Sequence, residues 1–226
     1  MYISKIQLRP EASDSPAFWR MLEDLYQEHC QLWNLFADSQ GRRRDFIYRR
    51  EENRGSPLFL AVSARVPADA RGIWQIETKP YHPKLRSGQL LSFILRANPI
   101  RSRRDDLGKQ HRHDVVMEAR TQVRKAGHSE KAVLLKPEIV QREGFDWLEL
   151  RAAHHGFRVK QGDVLADGYR QHTFHKREGG RLVQISTIDF AGLLTVTDPD
   201  LFVAALYYGL GPAKSFGCGL MLVKRP

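Results

Sequence analysis

Leu25-Tyr26-Gln27-Glu28-His29-Cys30-Gln31-Leu32-Trp33 is the stretch from which the fold can be read. Apolar residues recur at Phe18, Leu22, Leu25, Leu32 and Phe36, the spacing of one buried face of an α-helix. His29 falls on that stripe, where a leucine would be expected. Upstream, Met1 to Leu8 alternates, with Tyr2, Ser4, Ile6 and Leu8 on one face and Ile3, Lys5 and Gln7 on the other, which predicts a strand. Pro10 to Pro16 breaks it, and Ser15 as N-cap with Pro16 as first helical residue predicts a helix from about 16 to 37. Downstream, Phe46 to Tyr48 and Leu58 to Ala64 read as a strand pair around Gly55-Ser56-Pro57. Pro67 to Gly72 reads as a turn or short helix. Ile73 to Thr78 and Leu90 to Ala97 then close this half as strands. Strand, helix, strand, strand and closing strands describe an α+β ferredoxin-like sandwich, an antiparallel sheet with helices packed on one face.

Beyond Pro99 the composition changes. Residues 101–131 carry nine Lys/Arg against five Asp/Glu, and they read as a mobile basic connector with a strand near Val115 to Met117. The positive surplus suits either a solvated linker or contact with a phosphate backbone. Ile139 to His155 reads as a second long helix, with Gly156 in the position that commonly follows a helix end. Phe157 to Val159 starts a strand. Tyr169 to Lys176 and Leu182 to Phe190 form a hairpin around Arg177-Glu178-Gly179-Gly180-Arg181. Leu193 to Thr197 is a further strand, and Asp198-Pro199 starts a helix through about Tyr208. The order of elements in the first half thus recurs in the second.

The chain has 36 Lys+Arg against 26 Asp+Glu, a net charge of +10. Such a field favours polyanions, nucleic acid first and an anionic membrane surface second. No apolar run approaches the roughly 20 residues of a membrane span, and no signal-peptide pattern is present, so no membrane role is expected. Cys30 and Cys218, the two cysteines, lack metal-site spacing and fit free thiols in a reducing cytoplasm.

Two stretches carry candidate chemistry. Tyr26 stands one turn before His29, about 60° around the helix axis, so a phenol and an imidazole share one edge of the buried face. They could handle protons together; a core histidine bonded to a neighbour fits the same pattern. The close of the chain, Gly209-Leu210-Gly211-Pro212-Ala213-Lys214-Ser215-Phe216-Gly217-Cys218-Gly219-Leu220, places four glycines and Lys214 between a helix and a last strand. Small residues let backbone approach a phosphate; a helix cap followed by a tight turn needs the same glycines. No glycine precedes Lys214, so this is not a Walker A loop. It echoes the RNP1 strand motif only faintly. His111-Arg112-His113 and His154-His155 resemble metal ligands but come without Cys or Asp/Glu at an established spacing, so no metal and no cofactor is expected. Cys30 and His29, adjacent on a helix, point about 100° apart and make a poor nucleophile–base pair.

With these residues in place the sequence resembles a known family, the CRISPR repeat-processing endoribonucleases of type I-E systems, often called CasE. The opening Met1-Tyr2-Ile3-Ser4-Lys5, the helix stretch Tyr26 to His29 through Trp33-Asn34-Leu35-Phe36, and Phe93-Ile94-Leu95-Arg96-Ala97-Asn98-Pro99 carry the resemblance. The glycine-rich close is similar to the C-terminal motif of the wider superfamily.

The resemblance implies two tandem ferredoxin-like (RRM-like) domains, residues 1–99 with the catalytic helix and residues 100–226 with the RNA-binding hairpin and the glycine-rich loop. It implies metal-independent cleavage of CRISPR precursor RNA at the 3′ base of the repeat hairpin, giving a 2′,3′-cyclic phosphate and a 5′-OH. The product would stay bound in the Cascade complex beside a neighbouring backbone subunit. It makes His29 catalytic, with Tyr26 assisting, and sends the hairpin around Lys176 and Arg177 into the RNA stem. Arg181, Arg96, Arg101, Arg103, Arg104 and Lys214 are further candidate RNA contacts, with Gly209, Gly211, Gly217 and Gly219 as the loop. The chemistry asks for a base on the 2′-OH, an acid on the leaving 5′-oxygen and positive charge on the phosphate. His29 is assigned as the acid; Lys176 and Lys214 are candidates for the third group. Arg42 to Arg44 fit contact with either RNA or a neighbouring subunit. The competing reading is a noncatalytic tandem RNA-binding protein.

Overall fold

Ser4, Ile6 and Leu8 of the first strand, β1 (Tyr2–Leu8), all face inward, as the alternation predicts. In the computed structural model, which describes residues 1–13, 19, 24–36, 44–53, 55–105, 107–127, 136–176 and 180–226, β1 lies inside a four-stranded antiparallel sheet. Its neighbours are β2 (Phe46–Asn53), β3 (Ser56–Ser63) and β4 (Trp74–Pro80), in the order β2-β3-β1-β4. A short helical turn, α1 (Pro10–Ser13), follows β1, and helix α2 (Leu25–Asn34) covers the sheet. Leu32, Leu35 and Phe36 pack there against Ile6, Phe46, Tyr48, Phe59 and Trp74.

The predicted helix from 16 to 37 is not continuous: it is interrupted at Asp24, while Trp19 is helical and residues 14–18 and 20–23 lie outside the described residues. Asp24 is extended, at φ −133° and ψ 164°, and its carboxylate accepts from the Gln27 N–H at 2.7 Å, so α2 begins there. A carboxylate satisfying a free N–H in the first turn is a sufficient helix start. Ser15 and Pro16 lie outside the described residues.

A second four-stranded antiparallel sheet runs β10-β5-β9-β8, with β5 (Leu90–Ala97), β8 (Phe157–His175), β9 (Leu182–Val196) and β10 (Met221–Lys224). Helices α4 (Lys136–Ala152) and α5 (Pro199–Tyr208) bury Ile139, Phe145, Leu148, Phe202 and Leu206 against Phe93, Leu95, Ile188 and Phe190. In both sheets the first strand of the unit lies between the third and the fourth, with the second at the edge. Two ferredoxin-like units are thus present. Gly156 ends the α4 segment at φ 72°, and Asp198 caps α5, both as predicted.

Three further expectations change. Leu90 to Ala97 does not close the first sheet: β5 pairs with β9 from Leu90↔Thr195 to Ala97↔Ile188, and with β10 on its other side. The sheets therefore divide within residues 81–89. Second, the basic segment is ordered over most of its described length. It forms a hairpin of β6 (Ile100–Arg104) and β7 (Gln110–Asp114) and then helix α3 (Val115–Lys125). Val115 to Met117 is the first turn of that helix, because Asp114 caps the Met117 N–H at 2.9 Å while Val115, Val116 and Ala119 are buried. Third, the separate short strands after 157 merge into two long ones, broken only by register shifts between Val159 and Val164 and between Asp167 and Arg170.

The two units meet through Ile47, Val62 and Leu220, with Ile3, Leu60, Tyr81 and Tyr207 around them. The Tyr207 hydroxyl donates across the joint to the Tyr81 carbonyl at 3.0 Å. Among the described residues, no helix is long and apolar enough to cross a membrane.

Candidate active site

Helix α2 presents its buried line through Glu28, Leu32 and Leu35, and His29 stands at the edge of that line, half-buried. Of the two buried polar residues of α2, Glu28 and Gln31, Glu28 lies deeper, and the apolar pattern did not single it out. Its Oε2 receives Arg50 of β2 at 2.9 Å, fixing the helix to the sheet one residue before His29. Burial nevertheless outweighs Arg50 and raises the Glu28 carboxyl above its ordinary pKa.

Around His29 the two units converge. Its ring lies 5.9 Å from Trp33 and 6.0 Å, edge-on, from Phe216. Its Nδ1 is buried and has no hydrogen-bond partner among the described residues. Burial, then the positive charges of Arg44 and Lys176, lower its pKa from 6.5 to about 4. At neutral pH the resting ring is uncharged. The sign for stability follows: between about 4 and 6.5 the unfolded chain binds the proton and the folded chain does not, so stability rises with pH across that window. Urea midpoints between pH 4.5 and 6.5 should therefore climb, and His29→Gln should flatten the climb.

Arg44 precedes β2 and donates to the Ser215 hydroxyl. Burial lowers the pKa of this guanidinium, and burial with the charge of Arg44 lowers that of Lys214. The buried Tyr48 hydroxyl donates to the Ser215 carbonyl at 3.1 Å, and burial raises its pKa well above the ordinary value. Residues Lys214–Phe216 form one 3₁₀ turn, held on both sides. Gly219 lies at φ +93°, donates to the Arg96 carbonyl at 2.7 Å and accepts from Leu210 at 2.9 Å; a Cβ there would sit 2.7 Å from the Leu210 oxygen. Gly211 lies against the Trp147 ring and Gly217 against that of Tyr48, while a Cβ on Gly209 would meet the Gly219 carbonyl. The glycines of the loop therefore fold the chain back on itself and present the 214–216 turn to His29.

The structure brings the charges of Lys176 and Arg44 to His29, and the 214–216 turn meets its ring through Phe216, with Lys214 on the same turn. Tyr26 is half-buried one turn earlier on α2. Arg177 lies outside the described residues, and Arg181 is exposed at the start of the returning strand. Arg96 is engaged by Asp189 through two bonds of 2.8 Å. Arg101, Arg103 and Arg104 belong to the separate β6–β7 sheet, where Arg103 pairs with Glu118. His111 bonds to Asp105 on the same hairpin. Among the described residues no three His, Cys, Asp or Glu side chains gather as a metal site.

A polar cleft of about 580 Å³ opens beside α2, lined by Asp24, Arg50, Arg96, Arg170, His172 and Phe174 among others. His172 meets the Thr187 hydroxyl at 3.1 Å, and burial with Arg96 and Arg170 lowers its pKa. Arg50, Arg170 and His172 were not singled out from the sequence. Their one signal is alternation: Arg170 and His172 share a face of β8, and Arg50 opposes them only once both units have folded.

Comparison with known proteins agrees with this architecture. A family model described as CRISPR associated protein matches residues 1–225. The Cascade subunit CasE of Escherichia coli K12 is 30% identical over 224 residues, 98% of each chain. The CRISPR-associated endoribonuclease Cse3 of Thermus thermophilus is 30% identical, over 99% of each chain. A structure of Thermus thermophilus Cse3 bound to RNA as a pre-cleavage complex superposes with a TM-score of 0.68 at 28% identity, covering 99% of this chain and 98% of that one. That of Cas6e from Escherichia coli K-12 gives 0.66 at 29% over all of both chains. By its match over nearly the whole sequence, this chain belongs to the CRISPR-associated protein family that includes CasE and Cse3.

Proposed function

We propose that this protein is a metal-independent endoribonuclease that cuts CRISPR precursor RNA at the 3′ base of the repeat hairpin and stays with the product as a Cascade subunit in the cytoplasm. The observation that carries the reading is the placement of His29, held between Trp33 and Phe216 with the charges of Arg44 and Lys176 acting on it. In the reaction the 2′-oxygen of the scissile nucleotide forms a bond to its own phosphorus. The bond from phosphorus to the 5′-oxygen breaks, the 2′-OH gives up its proton, and the 5′-oxygen gains one. His29 supplies the proton to the 5′-oxygen, and Tyr26 orients the phosphate or takes the 2′-OH proton. An uncharged resting ring has no such proton to give, so the bound phosphodiester has to offset the surrounding cations and let His29 charge. Lys176, whose charge acts directly on His29, is the third group.

The test is cleavage of a hairpin repeat RNA in EDTA. Cutting at one bond is expected, with a cyclic phosphate end, and a single 2′-deoxy substitution at the scissile nucleotide should abolish it. Binding without cleavage would sink the enzymatic reading in favour of a noncatalytic RNA-binding protein. With contacts to about four phosphates, the slope of log affinity against log salt should be near −3.

A further inference from the structure

Arg44 is the residue of this site whose position asks most for an explanation. Four elements face His29: its own helix with Trp33, the segment entering β2 with Arg44, the end of β8 with Lys176, and the 3₁₀ turn with Lys214 and Phe216. The carboxylate of this neighbourhood, Glu28, turns to Arg50 on the inner side of α2. Tyr48 turns its hydroxyl to the Ser215 carbonyl. Among the described residues neither Arg44, Lys176 nor Lys214 has a carboxylate partner, and Arg44 donates to a neutral hydroxyl. Holding Arg44 and Lys214 half-buried near one another without a counter-ion costs stability, because each loses hydration and Arg44 repels Lys214. A guanidinium in that position has donors left over after Ser215, set in a planar fork that matches a phosphate.

We propose that Arg44 is a further catalytic residue of this site, contacting the scissile phosphodiester and forming with Lys176 and Lys214 the cradle that holds it. This rests on the reading of the site as a ribonuclease centre. The anion fills the place of the missing counter-ion, and Arg44 stabilises the extra negative charge on the phosphoryl oxygens as the 2′-oxygen adds. The same anion screens His29 from Arg44 and Lys176, which couples substrate binding to protonation of the ring.

Three variants test this: Arg44→Gln, Arg44→Lys and Ser215→Ala. Each is assayed by single-turnover cleavage of repeat RNA, by affinity for the 2′-deoxy repeat, and by NMR titration of His29. Arg44→Gln is expected to slow cleavage about 10²-fold or more, with a far smaller loss of affinity. Arg44→Lys should recover part of the rate, and Ser215→Ala should lose less than Arg44→Gln. In the free protein His29 should titrate near 4, higher in Arg44→Gln, and higher in the wild type once the 2′-deoxy repeat is bound. Arg44→Gln cleaving within about threefold of wild type, against the 10²-fold of a lost transition-state contact, overturns the proposal. So does an equal loss in Ser215→Ala, which would make Arg44 a brace for the turn. If the wild type binds but does not cut, the ribonuclease reading fails on its own. Arg44 is then judged by binding: unchanged affinity in Arg44→Gln with a His29 titration unmoved by RNA overturns the contact.

Discussion

His29→Ala should lower single-turnover cleavage by about 10²–10⁴-fold while affinity for repeat RNA changes by only a few-fold. The size follows from removing one positioned proton donor from a site that keeps its cations. The small change in affinity follows because the ring is uncharged in the free protein and offers phosphate no charge there. A second substrate separates acid from base: with sulfur in place of the scissile 5′-oxygen, the leaving group departs without protonation. If His29 is the acid, His29→Ala should cut that substrate nearly as fast as wild type does. A deficit equal to that on ordinary RNA would move His29 to the 2′-OH side, and near wild-type cutting of ordinary RNA would remove it from the chemistry.

Gly219→Ala should be the most damaging small substitution near the site. At φ +93° an L residue is strained, and the added carbon would stand 2.7 Å from the Leu210 oxygen. Both its backbone groups are used, toward Arg96 and from Leu210, so the segment cannot swing aside without breaking a bond. Strain of about 1–3 kcal/mol plus a disturbed bond predicts a loss of at least about 2 kcal/mol. For a chain of this length that is a drop in Tm of several degrees. Cleavage should fall beyond what stability explains, since the 214–216 turn against His29 is set by that glycine. A Tm within a degree of wild type would contradict this account.

The sequence carried much of this where one face of an element is wet and the other dry. β1, the core of α2 and the capped start of α5 all announce themselves by period or by cap. The β6–β7 hairpin does not: Arg101, Arg103, Arg104, Gln110, His111 and Arg112 leave both faces polar, so no alternation marks it, and its charge reads as linker. The break at Asp24 is hidden in the sequence because Ser15-Pro16 is the more conspicuous start signal, while Asp24 acts through one carboxylate bond. β5 went to the wrong sheet because pairing partners about 100 residues away are invisible to local pattern. The site divides in the same way. Motif and resemblance supply His29, Tyr26, Lys176 and Lys214 as candidates, whereas the burial of Glu28 and the approach of Arg44 to Ser215 exist only after folding.

The joint at Ile47, Val62 and Leu220 has a genetic consequence. His29 and Arg44 belong to the first unit, while Lys176 and the 214–216 turn belong to the second. On the proposed assignment neither half alone contains a complete centre, and the alignment of the halves becomes a determinant of activity. A screen for inactive alleles should therefore recover two groups of mutants. One alters side chains around His29. The other changes Val62, Leu220 or Tyr207, leaves both halves folded and RNA still bound, and loses cutting because the halves no longer meet in register. Such alleles should yield to suppressors on the opposite side of the joint, a pattern that no lesion at His29 can show.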